Sequence, residues 1–168
     1  NNLSGMFYNC YKFDQDIGNW NTSNVNIMKH MFSGAKEFNQ DISRWDTSNV
    51  YNMASMFYNC YDFNQDISNW NTSNITNMDD MFSGAQEFNQ DINTKLITKE
   101  DGTQYVAWDV SKVTYMYSMF HNAKDFNQDI SNWNTGKVTT MEFMFEGTSS
   151  FNQDIRMWNV SNVTNMNS

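Results

Sequence analysis

Residues 113–133 read VTYMYSMFHNAKDFNQDISNW, running from Val113 through Met119-Phe120 and Phe126 to Asp129-Ile130 and Trp133. The Met-Phe dipeptide at the centre of this stretch recurs at Met6-Phe7, Met31-Phe32, Met56-Phe57, Met81-Phe82 and Met144-Phe145, giving spacings of 25, 25, 25, 38 and 25 residues. The closing Trp supplies a second ruler, with Trp20, Trp45, Trp70, Trp108 and Trp158 in step with Trp133, and its one odd interval lies between Trp70 and Trp108. Both rulers place an insertion of 13 residues between Ile92 and Trp108. Phe13, Phe38, Phe63, Phe88, Phe126 and Phe151 form a further column, as do Ile17, Ile42, Ile67, Ile92, Ile130 and Ile155. A fixed period of this size marks a repeat architecture, in which no unit closes a core alone and each buries its apolar faces against its neighbours.

Within one unit, Val25, Met28, Met31, Phe32 and Ala35 stand at offsets 0, 3, 6, 7 and 10, which predicts a short helix over 24–35 with one apolar face. Thr22-Ser23-Asn24 ahead of it offers side-chain oxygens to the free N–H groups of a first turn. Gly34, Gly84 and Gly147 share a column with Asn9, Asn59 and Asn122 where such a helix ends, and both residue types suit a left-handed cap. The following Phe38-to-Trp45 segment is too short for a second helix and reads as a short strand plus a corner. Strands of successive units would pair at about 4.8 Å. The expected fold is therefore an α/β repeat solenoid, with one short strand and one short helix per 25-residue coil and about six coils, forming a single unit over 1–168. Asn1 aligns with Asn26 and Ser168 with His30, so both ends fall inside a coil and the native chain is expected to continue in both directions.

Charge narrows the choice of partners. Ten Lys+Arg against 19 Asp+Glu give a net charge of -9, which disfavours phosphate-tracking nucleic-acid binding and adhesion to anionic lipid. No apolar run reaches the roughly 18 residues of a membrane span, and the opening residues carry no signal-peptide pattern. The mean hydropathy of -0.71 reflects abundant Asn, Asp, Gln, Ser and Thr; with 39% hydrophobic and 16% aromatic residues the chain has ample material for a core.

The pattern Asn-Val-Thr-x-Met-x-x-Met-Phe-x-x-Ala-x-x-Phe-Asn-Gln-Asp-Ile-Ser-x-Trp, nearly intact from Val113 to Trp133 with Lys112 in place of its leading Asn, resembles the BspA-like leucine-rich-repeat surface proteins. Within them it is similar to the branch with mycoplasma-type lipoprotein-associated repeats. The resemblance covers the chain apart from the insertion. It implies a right-handed leucine-rich-repeat-like solenoid displayed outside the cell, on a cell surface or on a particle surface, in adhesion or host contact. The chain departs from that pattern by placing Met and Phe where Leu is the rule.

The columns also nominate chemistry. Asp16, Asp41, Asp66, Asp91, Asp129 and Asp154 would stack about 5 Å apart, close enough for like charges to repel by about 1 kcal/mol in water. Two readings offset that repulsion. Each carboxylate accepts backbone N–H groups at its turn, or pairs of coils share a hard cation such as calcium with help from Asn39-type and Gln40-type carbonyls. The first is favoured, because calcium-binding β-helix repeats are Gly-rich and carry a nine-residue signature absent here; apart from that candidate calcium no cofactor is expected. Asn39, Asn64, Asn89, Asn127 and Asn152 suggest an amide ladder that Asp14 interrupts in the first coil. The Trp column reads either as the seal between strand and helix or as an exposed aromatic strip for carbohydrate. Cys10 and Cys60 lie two coils apart, roughly 9.6 Å, too far for a disulfide, so both are expected to be free, small, buried thiols. His30 and His121 occupy different columns. No nucleophile, phosphate loop or metal-ligand spacing appears, and no enzymatic activity is expected.

The insertion, 93–107 within the fourth-to-fifth coil, places Leu96-Ile97-Thr98 and Gln104-Tyr105-Val106-Ala107 on either side of Glu100-Asp101-Gly102, a strong hairpin signal. A projecting hairpin is expected, with Lys99, Glu100, Asp101, Gly102 and Tyr105 as its binding residues, because insertions in repeat proteins map to loops and carry individual specificity; the alternative is a decoration without function. Lys29-His30, Ala54-Ser55, Asp79-Asp80, Tyr117-Ser118 and Glu142-Phe143 vary between units as an exposed surface would. The leading expectation is a non-enzymatic recognition or adhesion scaffold that binds a protein or glycan on a host or neighbouring surface. Its alternatives are a structural spacer or surface-layer component, which would associate end to end or laterally, and carbohydrate binding along the Trp strip.

Overall fold

The computed structural model describes residues 1–167. Six parallel bridges link residues one repeat apart: Asn2 to Ile27, Ile27 to Asn52, Asn52 to Asn77, Asn77 to Tyr115, Tyr115 to Thr140 and Thr140 to Asn165. They cut the chain into stacked coils over 2–26, 27–51, 52–76, 77–114, 115–139 and 140–164, and the fourth carries the insertion.

The segment expected to be helical is a run of tight turns, and no helix occurs among the described residues. Its N–H groups alternate between two destinations. In the second coil Met28, His30, Phe32 and Gly34 donate to the carbonyls of Asn52, Ala54, Met56 and Tyr58 in the next coil, at 3.0, 2.9, 3.0 and 2.7 Å. Met31, Ser33 and Ala35 between them close turns onto the carbonyls of Met28, His30 and Phe32. Two residues per coil take left-handed backbone to allow this: His30 and Gly34 here, Ser55 and Asn59 in the third coil, Asp80 and Gly84 in the fourth. An α-helix cannot hold a left-handed residue every fourth position, yet the turn run still buries Met28, Met31, Phe32 and Ala35. The offsets 0, 3, 6, 7 and 10 are thus shared by two backbones.

The Phe38-to-Trp45 segment, expected to be the strand, carries no backbone ladder. Most cross-coil backbone bonds belong to the turn run and its flanks, where the Glu37 N–H donates to the Tyr11 carbonyl, and here side chains join the coils instead. The Asn39 Oδ1 accepts both the Asn64 N–H at 3.0 Å and the Gln65 Nε2 at 2.9 Å, and Asn64 and Asn89 receive the next coils in the same way. Asp14 does not interrupt this ladder. Its Oδ1 accepts the Asn39 N–H at 3.0 Å and the Gln40 Nε2 at 2.8 Å, because the position needs only an acceptor. Asn64→Ala is therefore expected to destabilise the chain by about 1–3 kcal/mol, by leaving the Asn89 N–H unpaired and the Gln90 amide with only the Asn64 carbonyl, whereas Asn64→Asp retains most of the stability. Paired urea titrations distinguish the two.

The core is a set of aromatic columns. Within a coil two Phe rings lie face to face, as in Phe57 and Phe63 at 3.9 Å, and each ring meets its equivalent one coil on at 5.6–6.0 Å, as in Phe57 and Phe82 at 5.7 Å. These separations exceed the roughly 4.8 Å of paired strands. Such pairs add about 0.5–1.5 kcal/mol each beyond the burial of their surface.

A two-coil alternation is superimposed on the repeat. Asn9, Gly34, Asn59, Gly84, Asn122 and Gly147 occupy one left-handed column in turn. Each Asn side chain lies where a Cβ on the Gly of the following coil would be, so large and small residues interlock.

The insertion forms an antiparallel hairpin of β1 (Lys95–Thr98) and β2 (Gln104–Ala107), with Leu96 opposite Val106 and Ile97 opposite Tyr105. The Thr94 Oγ1 donates to the Trp108 carbonyl at 2.7 Å and pins its base.

Candidate functional site

The hairpin does not project. Ile97 and Tyr105, cross-strand neighbours on the half-buried face, turn towards the coils, while Leu96 and Val106 face solvent with exposures of 63% and 39%. The Tyr105 hydroxyl donates to the Asn69 carbonyl in the third coil and props the ribbon back over the second and third coils. Burial and the nearby Asp46 carboxylate push the Tyr105 phenol above its ordinary value, so it remains a donor at neutral pH. Sequence reading supplied the hairpin but not this lean, which depends on a contact 36 residues away along the chain.

Between ribbon and coils lies a cleft of about 620 Å³. The coil wall presents Arg44, Asp46, Ser48 and Asn69; the ribbon wall presents Ile97, Thr98, Lys99, Glu100, Asp101 and Tyr105. Four of the five residues expected to bind are thus brought together. The fifth, Gly102, stands outside the lining: it takes φ +81 in the turn and its N–H donates to the Lys99 carbonyl. Arg44 was missed. Its signal was available, since the other units place Asn19, Asn69, Ala107, Asn132 and Met157 in that column.

The charges of the cleft are unequally committed. The Asp46 Oδ1 accepts from the Ser48 N–H at 3.0 Å and its hydroxyl at 2.6 Å, and the Asp101 Oδ1 accepts from the Thr103 N–H at 2.9 Å and hydroxyl at 2.7 Å. The Thr103 bonds hold the Asp101 carboxyl below the usual carboxylate value. The Lys99 Nζ lies 5.5 Å from the Tyr105 ring centroid, a cation–π contact. Exposed Arg44 and Glu100 form no hydrogen bond or ion pair with any described residue, so the open charges are one cation on the coil wall and one anion on the ribbon.

Each carboxylate of the Asp column is occupied locally. Asp16, Asp41, Asp66, Asp91, Asp129 and Asp154 accept, on Oδ1, the N–H two residues ahead, at 2.9–3.1 Å, and all six side chains are exposed. The bonds from Ser43 hold Asp41 below its ordinary value, and the Arg156 guanidinium lowers Asp154 to about 2. Burial alone would raise Asp91, but Lys95, 2.8 Å away, and the Asn93 N–H bring it below the ordinary value. Among the described residues no three His, Cys, Asp or Glu side chains converge as metal ligands.

The Trp column is not an exposed strip. Trp45, Trp70, Trp108, Trp133 and Trp158 are buried, and their Nε1 groups donate at 2.9–3.3 Å to the carbonyls of Ile17, Ile42, Ile67, Ile92 and Ile130 in the preceding coil. Only Trp20, in the first coil, is exposed. Cys60 is buried, its Sγ is 2.9 Å from the Phe32 carbonyl, and burial lifts its thiol well above the ordinary value; Cys10, in the first coil, is exposed where a buried thiol was expected.

The variable pairs are less open than expected. Ala54, Ser55 and Ser118 are buried, because the left-handed turns fold them against neighbouring coils. Asp79 and Asp80 are half-buried. Desolvation, reinforced by Asp79 and opposed by His121, pushes Asp80 up to about 6. A carboxyl raised on folding adds stability only while protonated: the contribution is full below the unfolded value of 3.8 and lost as pH rises through about 6. Asp80→Asn, which also tolerates the left-handed backbone, is expected to raise the urea midpoint at pH 7.5 and leave it unchanged at pH 3.5. Equal midpoints at both values would remove this assignment.

Among the described residues no helix is long and apolar enough to cross a membrane. No curated protein and no solved structure matches the chain. A family model does, over 1–104 and again over 94–168, and its two overlapping matches together span the sequence. The chain is therefore a tandem-repeat member of the family described as Mycoplasma protein of unknown function, DUF285.

Proposed function

We propose that the chain is a non-enzymatic recognition scaffold, a solenoid of the BspA-like, leucine-rich-repeat kind displayed on a cell or particle surface, which binds a protein or glycan partner through the cleft beneath its inserted hairpin. The observation that carries this reading is the hairpin folded back over two coils: it bounds a cleft of about 620 Å³ whose ribbon wall, and Arg44 on the coil wall, have no counterpart in the other repeats. A laddered stack with a single decorated coil suits presentation of one site on a rigid support. The net charge of -9 favours partners other than nucleic acid.

Capture on an array of extracellular-matrix proteins and glycans tests the proposal. The intact chain is expected to retain a partner that a variant lacking 95–106 loses, with thermal unfolding of the two chains compared to establish that the stack survives. Full retention without the hairpin would remove the site and leave a structural spacer as the better reading.

A further inference from the structure

The two-stranded ribbon leaves backbone groups unpaired on both edges. The Lys99 N–H donates to the Thr103 carbonyl at 2.8 Å, and from that bond the antiparallel alternation turns the peptide groups of Ile97 and Lys95 inward to β2 and those of Thr98 and Leu96 outward. Neither the Leu96 nor the Thr98 peptide group bonds to any described residue outside the ribbon. This β1 edge continues into the stretch of Thr98, Lys99, Glu100 and Asp101 that lines the cleft, and solvent-facing Leu96 and Val106 form an apolar pair beside it. An open edge with an adjoining apolar pair is a template for an added strand.

Charge narrows the occupant. Asp46 and Asp101 already serve their own turns, so the uncommitted cation of the cleft is Arg44 on the coil wall, while Lys95 opens β1 and Lys99 follows its end. With Lys95 paired to Asp91 at 2.8 Å and Lys99 lying against the Tyr105 ring, Arg44 is the cation left open in the cleft, and it favours a segment carrying an acid. We propose that the β1 edge takes an extended polypeptide segment of a partner protein as a third strand, with an acidic side chain of that segment bonded to Arg44 across the cleft. The inference rests on the cleft being the recognition site and adds the class of its ligand. Main-chain bonds to Leu96 and Thr98 supply affinity that is indifferent to sequence; Arg44 supplies the selection.

The test uses the whole chain and a capped probe peptide, acetyl-Val-Thr-Glu-Thr-Val-amide, followed by amide hydrogen exchange. Binding is expected to slow exchange at Leu96 and Thr98 selectively. A Lys in place of the Glu, or Arg44→Gln in the protein, is expected to weaken binding by about tenfold, as for the loss of one charged hydrogen bond. Of two probes N-methylated on alternate amides, one presents its free edge to β1 and binds while the other does not. Equal binding by both methylated probes, or shifts in the cleft without protection at Leu96 and Thr98, overturns strand addition. So does the absence of binding at millimolar probe. If the variant lacking 95–106 still loses its captured partner in that event, the cleft stands as a recognition site for another ligand, glycan included; if it loses nothing, both readings fall.

Discussion

Trp133→Ala is expected to lower the unfolding free energy by about 3–5 kcal/mol, the range for truncating a large buried aromatic side chain. Trp133 is 3% exposed, and its ring centroid lies 6.3 Å from Trp108, 6.0 Å from Trp158 and 6.1 Å from Phe120. Its Nε1 donates to the Ile92 carbonyl at 2.9 Å, so truncation removes three aromatic neighbours and leaves a buried acceptor without its donor. Trp133→Phe separates the contributions: it keeps a ring in the column, loses the donor, and is expected to cost about 1–3 kcal/mol. Because a stack is stabilised by nearest-neighbour contacts, the loss should localise. Hydrogen exchange is expected to speed up first in the fourth, fifth and sixth coils, which Trp133 joins. Uniform acceleration along the chain, or a cost for the Ala variant below about 1 kcal/mol, would show that the columns contribute little to cohesion.

The second large effect concerns the Asn and Gly alternation. At Gly84 the backbone takes φ +73, and an added Cβ would run into the Asn59 Oδ1 and come 3.2 Å from its Cγ. Gly84→Ala therefore combines a left-handed backbone penalty of about 1–2 kcal/mol with an overpacking penalty of about 1–3 kcal/mol. Asn59→Gly opens that space without altering the left-handed conformation, which Gly adopts freely. The double variant is expected to recover the overpacking part and retain the backbone part, giving a coupling of about 1–3 kcal/mol in a four-protein cycle. A coupling near zero would mean that the alternation of Asn9, Gly34, Asn59, Gly84, Asn122 and Gly147 does not arise from steric interlock.

That column also explains where sequence reading stops. Its Gly and Asn residues were taken as caps ending a helix, because a left-handed residue after an apolar run is the ordinary helix terminus. Here they are internal to a run of turns, and the other left-handed position, Gly5 in the first coil, is filled in the later coils by His30, Ser55, Asp80, Ser118 and Phe143, residue types that do not announce the conformation. Local spacing could not separate the two backbones, since both bury Met28, Met31, Phe32 and Ala35. The repeat length and the place of the insertion were legible because they depend on counting alone. The Trp seal was legible as one of two readings, and the Ile carbonyls that accept from the indoles favour it.

The site was half legible. Asp101-Gly102 between β-rich runs signals a hairpin through local turn chemistry, and Lys99, Glu100 and Tyr105 follow from their neighbourhood in the chain. The direction of the ribbon does not, because it is fixed by Tyr105 reaching Asn69, and with it comes the coil wall of Arg44, Asp46 and Ser48. Arg44, the one charged residue in a column of Asn, Ala and Met, was the sequence trace of that wall.

The return of the hairpin onto the second and third coils is the claim on which both the cleft and its proposed occupant depend. Paramagnetic relaxation from a nitroxide on Ser48→Cys, in a chain whose Cys10 and Cys60 are replaced by the Ala found at the equivalent Ala35 and Ala85, measures it directly. The account predicts strong broadening of the amides of Thr98, Lys99, Glu100 and Asp101 across the cleft, reduced in Tyr105→Phe, which cannot hold the Asn69 carbonyl. Amides of the ribbon as sharp as those in a reduced, diamagnetic sample would contradict it and return the hairpin to solvent.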